Sequence, residues 1–189
     1  LTNVNVKAIN IEYNAKPVYV KNEATTKNYH IELDFLSCNP FRNKIIQKIC
    51  SNFNNNVLIL VNHIKHGEEL YNILSKITGK RVYFVRGEVE IDDREKIKHA
   101  MEKNDNVVCI AISAIFSTGI NIKNIHMIIF AAGGKSFIRT VQSIGRGLRL
   151  NNNKFITTII DIADKLKYSS DHFEQRKQFY VKEKIDMTV

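Results

Sequence analysis

The sequence predicts an α/β protein with a mainly parallel central sheet and helices on both faces. From Val57 onward, apolar runs of strand length alternate with stretches of helical period, which is the pattern of successive βαβ units. The runs are almost continuously apolar, as is typical of strands that are covered on both faces. They predict strands at 57–61, 81–85, 107–111, 126–130 and 155–160.

Apolar residues three or four positions apart predict the helices between these strands. They are Leu70, Ile73, Leu74 and Ile77 in one helix, Ile91, Ile97, Ala100 and Met101 in a second, and Ile138, Val141, Ile144 and Leu148 in a third. The resulting topology is doubly wound. Because ligands of such sheets gather at the carboxyl ends of the strands, we look for chemistry in the residues that follow each strand.

The two flanks of this pattern are less regular. Residues 1–56 are predicted as a lead-in segment packed on the domain, with a strand at 6–13 and helical segments at 29–36 and 41–53. Residues 57–165 form the predicted core domain. Residues 166–189 form a C-terminal helical extension, with a charged helix at 172–184. The asparagines at 54–56 predict a turn.

The charge and the cysteine content narrow the class of protein. A net charge of +9 with a pI of about 9.4 favours nucleic acid as a partner. The alternative is that richness in lysine, asparagine and isoleucine only reflects an AT-rich genome. The three cysteines are odd in number and widely spaced, so they predict neither a disulfide framework nor a zinc site. His63 and His66 lack further ligands nearby and predict a solvated helix face.

No run of eighteen apolar residues and no signal-peptide pattern occurs, so we expect no membrane partner. The chain begins at Leu1, and we expect it to be a piece of a longer protein. These features predict a reducing, cytoplasmic location, which would be the host cytoplasm for a phage protein. A nuclear or organellar location stays open.

A row of arginines carries the strongest chemical signal. Arg139, Gln142, Arg146 and Arg149 follow each other at intervals of three, four and three, so they share one face of a helix. Arginine suits phosphate because its rigid fork of donors matches two phosphate oxygens and it keeps its charge in a cleft. The alternative is an ordinary exposed basic face.

These residues match a family pattern. The stretch Gln142-Ser143-Ile144-Gly145-Arg146-Gly147-Leu148-Arg149 resembles motif VI of superfamily 2 helicases, Q-x-x-G-R-x-x-R. Residues 113–121 resemble motif V, the strand followed by Asn62 and His63 resembles motif IV, and Gly87 with Arg94 resembles the motif between them. Asn39-Pro40-Phe41-Arg42-Asn43-Lys44 and Lys135-Ser136 are also similar to the UvsW type of phage recombination DNA helicases.

The resemblance implies the second, C-terminal RecA-like domain of such a helicase, a three-layer fold related to P-loop NTPases. It implies that Arg149 is an arginine finger, that Arg146 is a second phosphate contact and that Gln142 orients the water or the γ-phosphate. Gly119 and Asn121 would complete the nucleotide contacts, although many relatives carry aspartate where Asn121 stands.

The same resemblance assigns a contact with the nucleic-acid backbone to Ser113. The helix that follows Asn62 could bind a backbone phosphate through the free N–H groups of its amino terminus, and Gly87 could let the backbone approach the strand closely. Structural alternatives exist for each of the three residues. Ser113 and Asn62 could cap the helices that follow their strands, and Gly87 could only form a turn.

The phosphate loop G-x-x-x-x-G-K-[ST] and the acidic motif D-E-x-[DH] do not occur in this chain. The resemblance places both on a preceding RecA-like domain, which would be a partner of this one and would bind most of ATP and Mg²⁺. We therefore expect an ATP-dependent DNA helicase or translocase of recombination, replication or repair, with this chain inactive alone and without a metal site. The alternatives are a nucleic-acid-binding module without ATP coupling and an RNA helicase domain.

Overall fold

The computed structural model describes residues 4–86, 91–116, 123–134, 139, 142 and 156–189. Its strands are β1 (Val4–Ile11), β2 (Val57–Val61), β3 (Arg81–Val85), β4 (Val107–Ile112), β5 (Met127–Phe130), β6 (Thr157–Asp164) and β7 (Asp186–Thr188). Within these ranges they form one sheet of seven strands in the order β3-β4-β2-β5-β6-β1-β7. All neighbouring strands are parallel, which confirms the predicted fold class.

The strands begin and end close to the predicted positions. β2 and β3 match their predicted ranges, and β4 extends one residue further. The largest difference is in β6, which continues through Asp161 to Asp164 instead of ending at residue 160. β1, from the lead-in segment, pairs with β6 along its whole length and so belongs to the central sheet.

Helices cover both faces of the sheet. They are α1 (Thr25–Cys38), α2 (Pro40–Ser51), α3 (Ile64–Leu74), α4 (Ile91–Lys103), α5 (Ser113–Phe116) and α6 (Lys167–Lys182). Apolar side chains of α1, α2 and α3 share one core cluster with Ile59 of β2, whereas those of α4 and α6 share the other with Leu58. The two clusters lie on opposite faces because neighbouring residues of a strand point to opposite sides. The domain is therefore a three-layer α/β structure.

Asn56 ties the amino-terminal edge of the sheet together. Its side chain is fully buried and its Nδ2 lies 2.6 Å from the carbonyl oxygen of Met101, 2.8 Å from that of Asn104 and 3.0 Å from that of Asn124. Its Oδ1 accepts a hydrogen bond from the backbone N–H of Val107 at 2.9 Å. The residue predicted to lie in a polar turn is thus a buried connector between β2, β4 and two loops.

The helix α6 is docked rather than solvated. Its amino terminus is capped by Glu32 of α1, which is fully buried and accepts hydrogen bonds from the backbone N–H groups of Tyr168, at 3.1 Å, and Ser169, at 2.6 Å. The hydroxyl of Tyr19 also donates to Glu32. A carboxylate at a helix amino terminus satisfies free N–H groups and opposes the helix dipole. The lead-in segment and the C-terminal helix are joined in this way.

Candidate functional site at the carboxyl edge of the sheet

Two polar side chains meet at the carboxyl ends of neighbouring strands. β2 and β4 pair with Val61 opposite Ile112, so the residues that follow them, Asn62 and Ser113, lie side by side. The Ser113 hydroxyl donates a hydrogen bond of 2.6 Å to Oδ1 of Asn62. Ser113 is only 5% exposed, whereas Asn62 is half-buried. The structure therefore brings together the residues that carry motif IV and motif V.

This hydrogen bond orients the Asn62 amide. Because Oδ1 faces Ser113, the Nδ2 group, with its two N–H donors, is turned away from the serine. The helix α3 begins after His63, which is its N-cap residue and makes no side-chain capping bond. The prediction that Asn62 caps this helix is therefore wrong, since the amide is engaged with β4 instead. The two N–H donors of the Asn62 amide are thereby left suited to a phosphate oxygen.

Of the residues predicted to bind nucleotide, the structure describes Gln142. It is helical and exposed, as is Arg139 three residues before it, and this spacing places both on one face of a helix. Four further residues with predicted nucleotide roles, Gly119, Asn121, Arg146 and Arg149, lie outside the described residues, as does Gly87. Their positions stay predictions from the sequence.

The loop after β5, residues 131–134, leads toward Arg139 and is here called the β5 exit loop. All four of its residues are buried, and the N–H of Ala131 donates to the carbonyl of Leu60 at 3.1 Å. Gly133 and Gly134 have φ angles of 64° and 90°. This left-handed region suits glycine, which has no Cβ to clash with the backbone. The two glycines thus let the chain turn sharply at the carboxyl edge.

A buried cluster, the Asp161 triad, lies beside this loop. Nε of Arg176 lies 2.9 Å from Oδ2 of Asp161, and Nη2 lies 2.9 Å from Oδ1. The Tyr180 hydroxyl donates to Oδ2 at 2.7 Å. Arg176 also reaches the carbonyl of Gly134, with Nη1 at 3.4 Å. All three side chains are at most 2% exposed. The negative charge of Asp161 is therefore balanced by Arg176 in a site that water does not reach.

A second cluster, the Asp164 triad, lies on the opposite face of β6. Arg42 of α2 donates to both carboxylate oxygens of Asp164, through Nε at 3.0 Å and Nη2 at 3.1 Å. The hydroxyl of Tyr13 donates to the same carboxylate. Asp161 and Asp164 are three positions apart in a strand, which sends their side chains to opposite faces. Each face of β6 therefore carries one Asp–Arg–Tyr triad.

Burial and charge shift the pKa values of these groups. Burial and the charge of Asp161 raise the pKa of Tyr180, and burial and Asp164 do the same for Tyr13, so both hydroxyls stay protonated donors. Burial alone would lower the pKa of Arg42, but the charge of Asp164 outweighs it and the net shift is upward. Arg42 thus stays a cation beside Asp164.

His66 was predicted on a solvated face, and that prediction is wrong. The side chain is 2% exposed and its Nε2 lies 3.2 Å from Oδ1 of Asn43, on the neighbouring helix α2. Burial lowers the pKa of His66 to about 3, with smaller contributions from Arg42 and His63. The imidazole is therefore neutral and acts as a hydrogen-bonding core residue.

A cleft of about 440 Å³ opens at the end of β1. It is lined by Glu12, Tyr13, Asn14, Ala15, Asn39 and Phe41. In the sheet β1 is separated from β2 by β5 and β6, so the cleft lies roughly 14 Å along the edge from Asn62. It is distinct from the Asn62–Ser113 pair.

The residues that the structure describes contain neither a metal-binding cluster nor a membrane-spanning helix. No group of three or more His, Cys, Asp or Glu side chains there could hold a metal ion. No helix in those ranges has the length and apolar character needed to cross a membrane.

Sequence reasoning missed both triads. Asp161 and Asp164 directly continue an apolar strand in the sequence. This could have indicated the triads, because a charged side chain in a buried strand needs a partner of opposite charge. Arg42 belongs to a segment whose similarity to UvsW-type helicases gave it no role. The partner Arg176 lies on a helix of mixed polarity whose docking face was not evident from its charge pattern.

The fold and the Asn62–Ser113 pair at the carboxyl ends of β2 and β4 define a class of protein. The chain is a RecA-like α/β domain with an amide donor suited to phosphate at this edge of its sheet. Residues 42–151 match the family model described as the helicase conserved C-terminal domain. The ATP-dependent DNA helicase uvsW of Enterobacteria phage T4 is 33% identical over 141 residues, which cover 73% of this chain and 28% of the relative. The chain therefore belongs to the helicase conserved C-terminal domain family, as a UvsW-like domain of superfamily 2.

Further relatives agree with this assignment. The putative helicase 161L of Invertebrate iridescent virus 6 is 31% identical over 161 residues, covering 79% of this chain and 35% of the relative. The crystal structure of T4 UvsW superposes with a TM-score of 0.77 at 26% identity, covering 98% of this chain and 41% of that one. The RNA helicase Prp28 from Chaetomium thermophilum, bound to ADP, shares the fold, with a TM-score of 0.69 at 13% identity, covering 100% of this chain and 39% of that one. The chain spans about a third of the length of these curated relatives.

Proposed function

We propose that this chain is the second RecA-like domain of an ATP-dependent DNA helicase or translocase that acts in recombination, replication or repair. In this proposal residues 57–165 form the core of the domain, 1–56 a lead-in segment and 166–189 a C-terminal extension. The domain supplies an arginine finger and part of the nucleic-acid surface. A preceding RecA-like domain supplies the phosphate loop.

The observation that carries the proposal is the hydrogen bond between Ser113 and Asn62. It joins the ends of two adjacent parallel strands, and it turns the Asn62 amide N–H donors toward the edge where ligands of such sheets bind. Contacts of this kind to phosphate and sugar hold a nucleic acid in position without reading its sequence. Gly87, which follows the neighbouring strand β3 by two residues, would add a backbone contact.

The nucleotide side of the proposal rests on one helix face. Gln142 is exposed and helical. Arg146 and Arg149 follow it in the sequence at intervals of four and three, which predict the same helix face. Arg149 would neutralise charge on the γ-phosphate in the transition state, a contribution of about a thousandfold or more in rate. Arg146 would hold a second phosphate oxygen, Gln142 would orient the attacking water, and Gly119 with Asn121 would face the ribose side of the nucleotide.

Magnesium would reach this site with ATP and be held mainly by the preceding domain. The metal would supply charge neutralisation at the phosphates. This chain would supply guanidinium groups and the orientation of water.

The test is ATP hydrolysis by the full-length protein that carries this chain, with and without branched DNA. We expect DNA to stimulate hydrolysis and Arg149→Ala to reduce kcat by about a thousandfold, with DNA binding retained. We expect Ser113→Ala to weaken DNA binding by about threefold to tenfold, because the Asn62 amide loses the hydrogen bond that orients it. Ser75→Ala is the matched control, since Ser75 is exposed at the far end of α3.

Three results would contradict the proposal. A full-length protein that binds DNA but hydrolyses no ATP would be a nucleic-acid-binding module. An Arg149→Ala variant that loses DNA affinity and keeps hydrolysis would assign the arginine row to the nucleic acid instead of the nucleotide. Stimulation by RNA and not by DNA would replace the DNA helicase by an RNA helicase.

A further inference from the structure

The path of the β5 exit loop is fixed before the chain reaches the arginine row. Its four residues are buried, its two glycines are held at positive φ, and Ala131 is hydrogen bonded to β2 through Leu60. Arg139, the first member of the row, follows Gly134 by five residues and is already helical. The loop is thus the last described segment before Arg139 in the chain.

Arg176 is hydrogen bonded to the β5 exit loop. Its guanidinium is 2% exposed and joins the carboxylate of Asp161 to the carbonyl oxygen of Gly134. Asp161 pairs in register with Phe130, the last residue of β5, so the carboxylate lies beside the point where the loop begins. A rigid guanidinium can bridge two acceptors in this way, whereas an ammonium group has no fixed fork.

Tyr29 of α1 also contacts this loop. A Cβ placed on Gly134 would lie 2.7 Å from the Tyr29 hydroxyl, so the backbone and the ring are in close contact. Tyr29 also packs edge-on against His172 of α6, with ring centroids 5.1 Å apart. One turn further along α1, Glu32 caps α6. The loop, α1 and α6 therefore form one packed unit.

We propose that Arg176 is a positioning residue for Arg146 and Arg149, acting through the carbonyl of Gly134. The inference rests on the proposed function, in which these two arginines contact the phosphates of ATP. Arg176 itself touches no substrate. Its effect would fall on kcat more than on KM, because an arginine finger stabilises the transition state more than the bound ground state.

The experiment compares Arg176→Lys with Arg42→Lys in the full-length protein. Both substitutions keep a cation beside a buried aspartate on β6 and remove the guanidinium fork, but the hydrogen bonds of the Arg42 guanidinium go to Asp164 and not to the β5 exit loop. We expect Arg176→Lys to lower the kcat of DNA-stimulated ATP hydrolysis by about tenfold or more, with the KM for ATP within about threefold of wild type. We expect Arg42→Lys to leave kcat within about twofold.

A milder pair of variants keeps the test decisive if either lysine variant fails to fold. Tyr180→Phe and Tyr13→Phe each remove one hydroxyl from a triad and leave its ion pair in place. We expect only Tyr180→Phe to lower kcat, by about threefold. An unchanged kcat in the variants of the Asp161 triad, or equal losses in both triads, would overturn the role of Arg176.

Arg149→Ala separates this inference from the proposed function. Loss of hydrolysis in Arg149→Ala together with an unchanged Arg176→Lys would overturn the positioning role alone. Wild-type hydrolysis by Arg149→Ala would overturn the proposed function, and the role of Arg176 would fall with it.

Discussion

The two faces of β6 carry the same three side-chain types but connect them to different parts of the chain. On one face, Arg42 joins Asp164 to α2, and its Nη1 atom has no hydrogen-bond partner within the described residues. On the other face, Arg176 joins Asp161 to α6 and also reaches Gly134. Both triads balance a buried charge, but the Asp161 triad extends to the β5 exit loop, whereas the Asp164 triad includes Tyr13 from the segment after β1. A similar set of residues can thus brace a helix or hold a loop, depending on where the third contact lies.

The largest expected effect is the loss of either arginine. Arg42→Met and Arg176→Met each leave an aspartate buried without its cation, so we expect the free energy of unfolding to fall by about 3 to 5 kcal/mol in both. Urea unfolding monitored by circular dichroism measures this. The double variants Arg42→Met/Asp164→Leu and Arg176→Met/Asp161→Leu should recover most of the loss. A loss under about 1 kcal/mol in one single variant would show that the two triads are not equivalent braces.

Removing a tyrosine hydroxyl is expected to cost less. Tyr13→Phe and Tyr180→Phe each delete one hydrogen bond to a carboxylate, which corresponds to about 1.5 to 3 kcal/mol of unfolding free energy. The same urea titration compares them, with Tyr71→Phe as a control because Tyr71 is 40% exposed on α3. A larger loss for Tyr180→Phe than for Tyr13→Phe would indicate that the contact with the β5 exit loop also contributes to stability.

The smallest expected effect is a pH dependence confined to the Arg42 face. His66 is neutral in the folded chain with a pKa of about 3, whereas it protonates near 6.5 when unfolded. The unfolded state therefore binds the extra proton, and stability is lost as pH falls from 6.5 toward 3. Between pH 6 and pH 5 this group should cost about 1 kcal/mol.

Substitution of His66 isolates its contribution to the pH dependence of the unfolding free energy. His66→Gln should flatten the fall in unfolding free energy between pH 6 and pH 5 by about that amount. His99→Gln, at an exposed position, should leave the slope unchanged. Parallel pH curves for wild type and His66→Gln would show that His66 does not titrate in this window.

The sheet could be predicted because its strands are local apolar runs. The end of β6 could not, since Asp161 and Asp164 interrupt the apolar pattern and are accommodated by arginines 15 and 122 residues away in the chain. The same limit explains His66, whose partner Asn43 lies on another helix. Asn62 and Ser113 were found because both follow strands, but their hydrogen bond depends on the pairing of β2 with β4. Sequence periodicity reports burial along one element and carries no information about partners on another.

The cap that Glu32 provides for α6 also bears on the order in which the chain folds. Donor and acceptor are separated by 136 and 137 residues, so the cap forms only after the first and last parts of the chain have met. Contacts of such long range close large loops and slow folding. A species in which β2, β4 and β5 have already paired would still carry an uncapped and weakly held α6. We expect the C-terminal helix to gain protection from hydrogen exchange late in refolding, after the centre of the sheet.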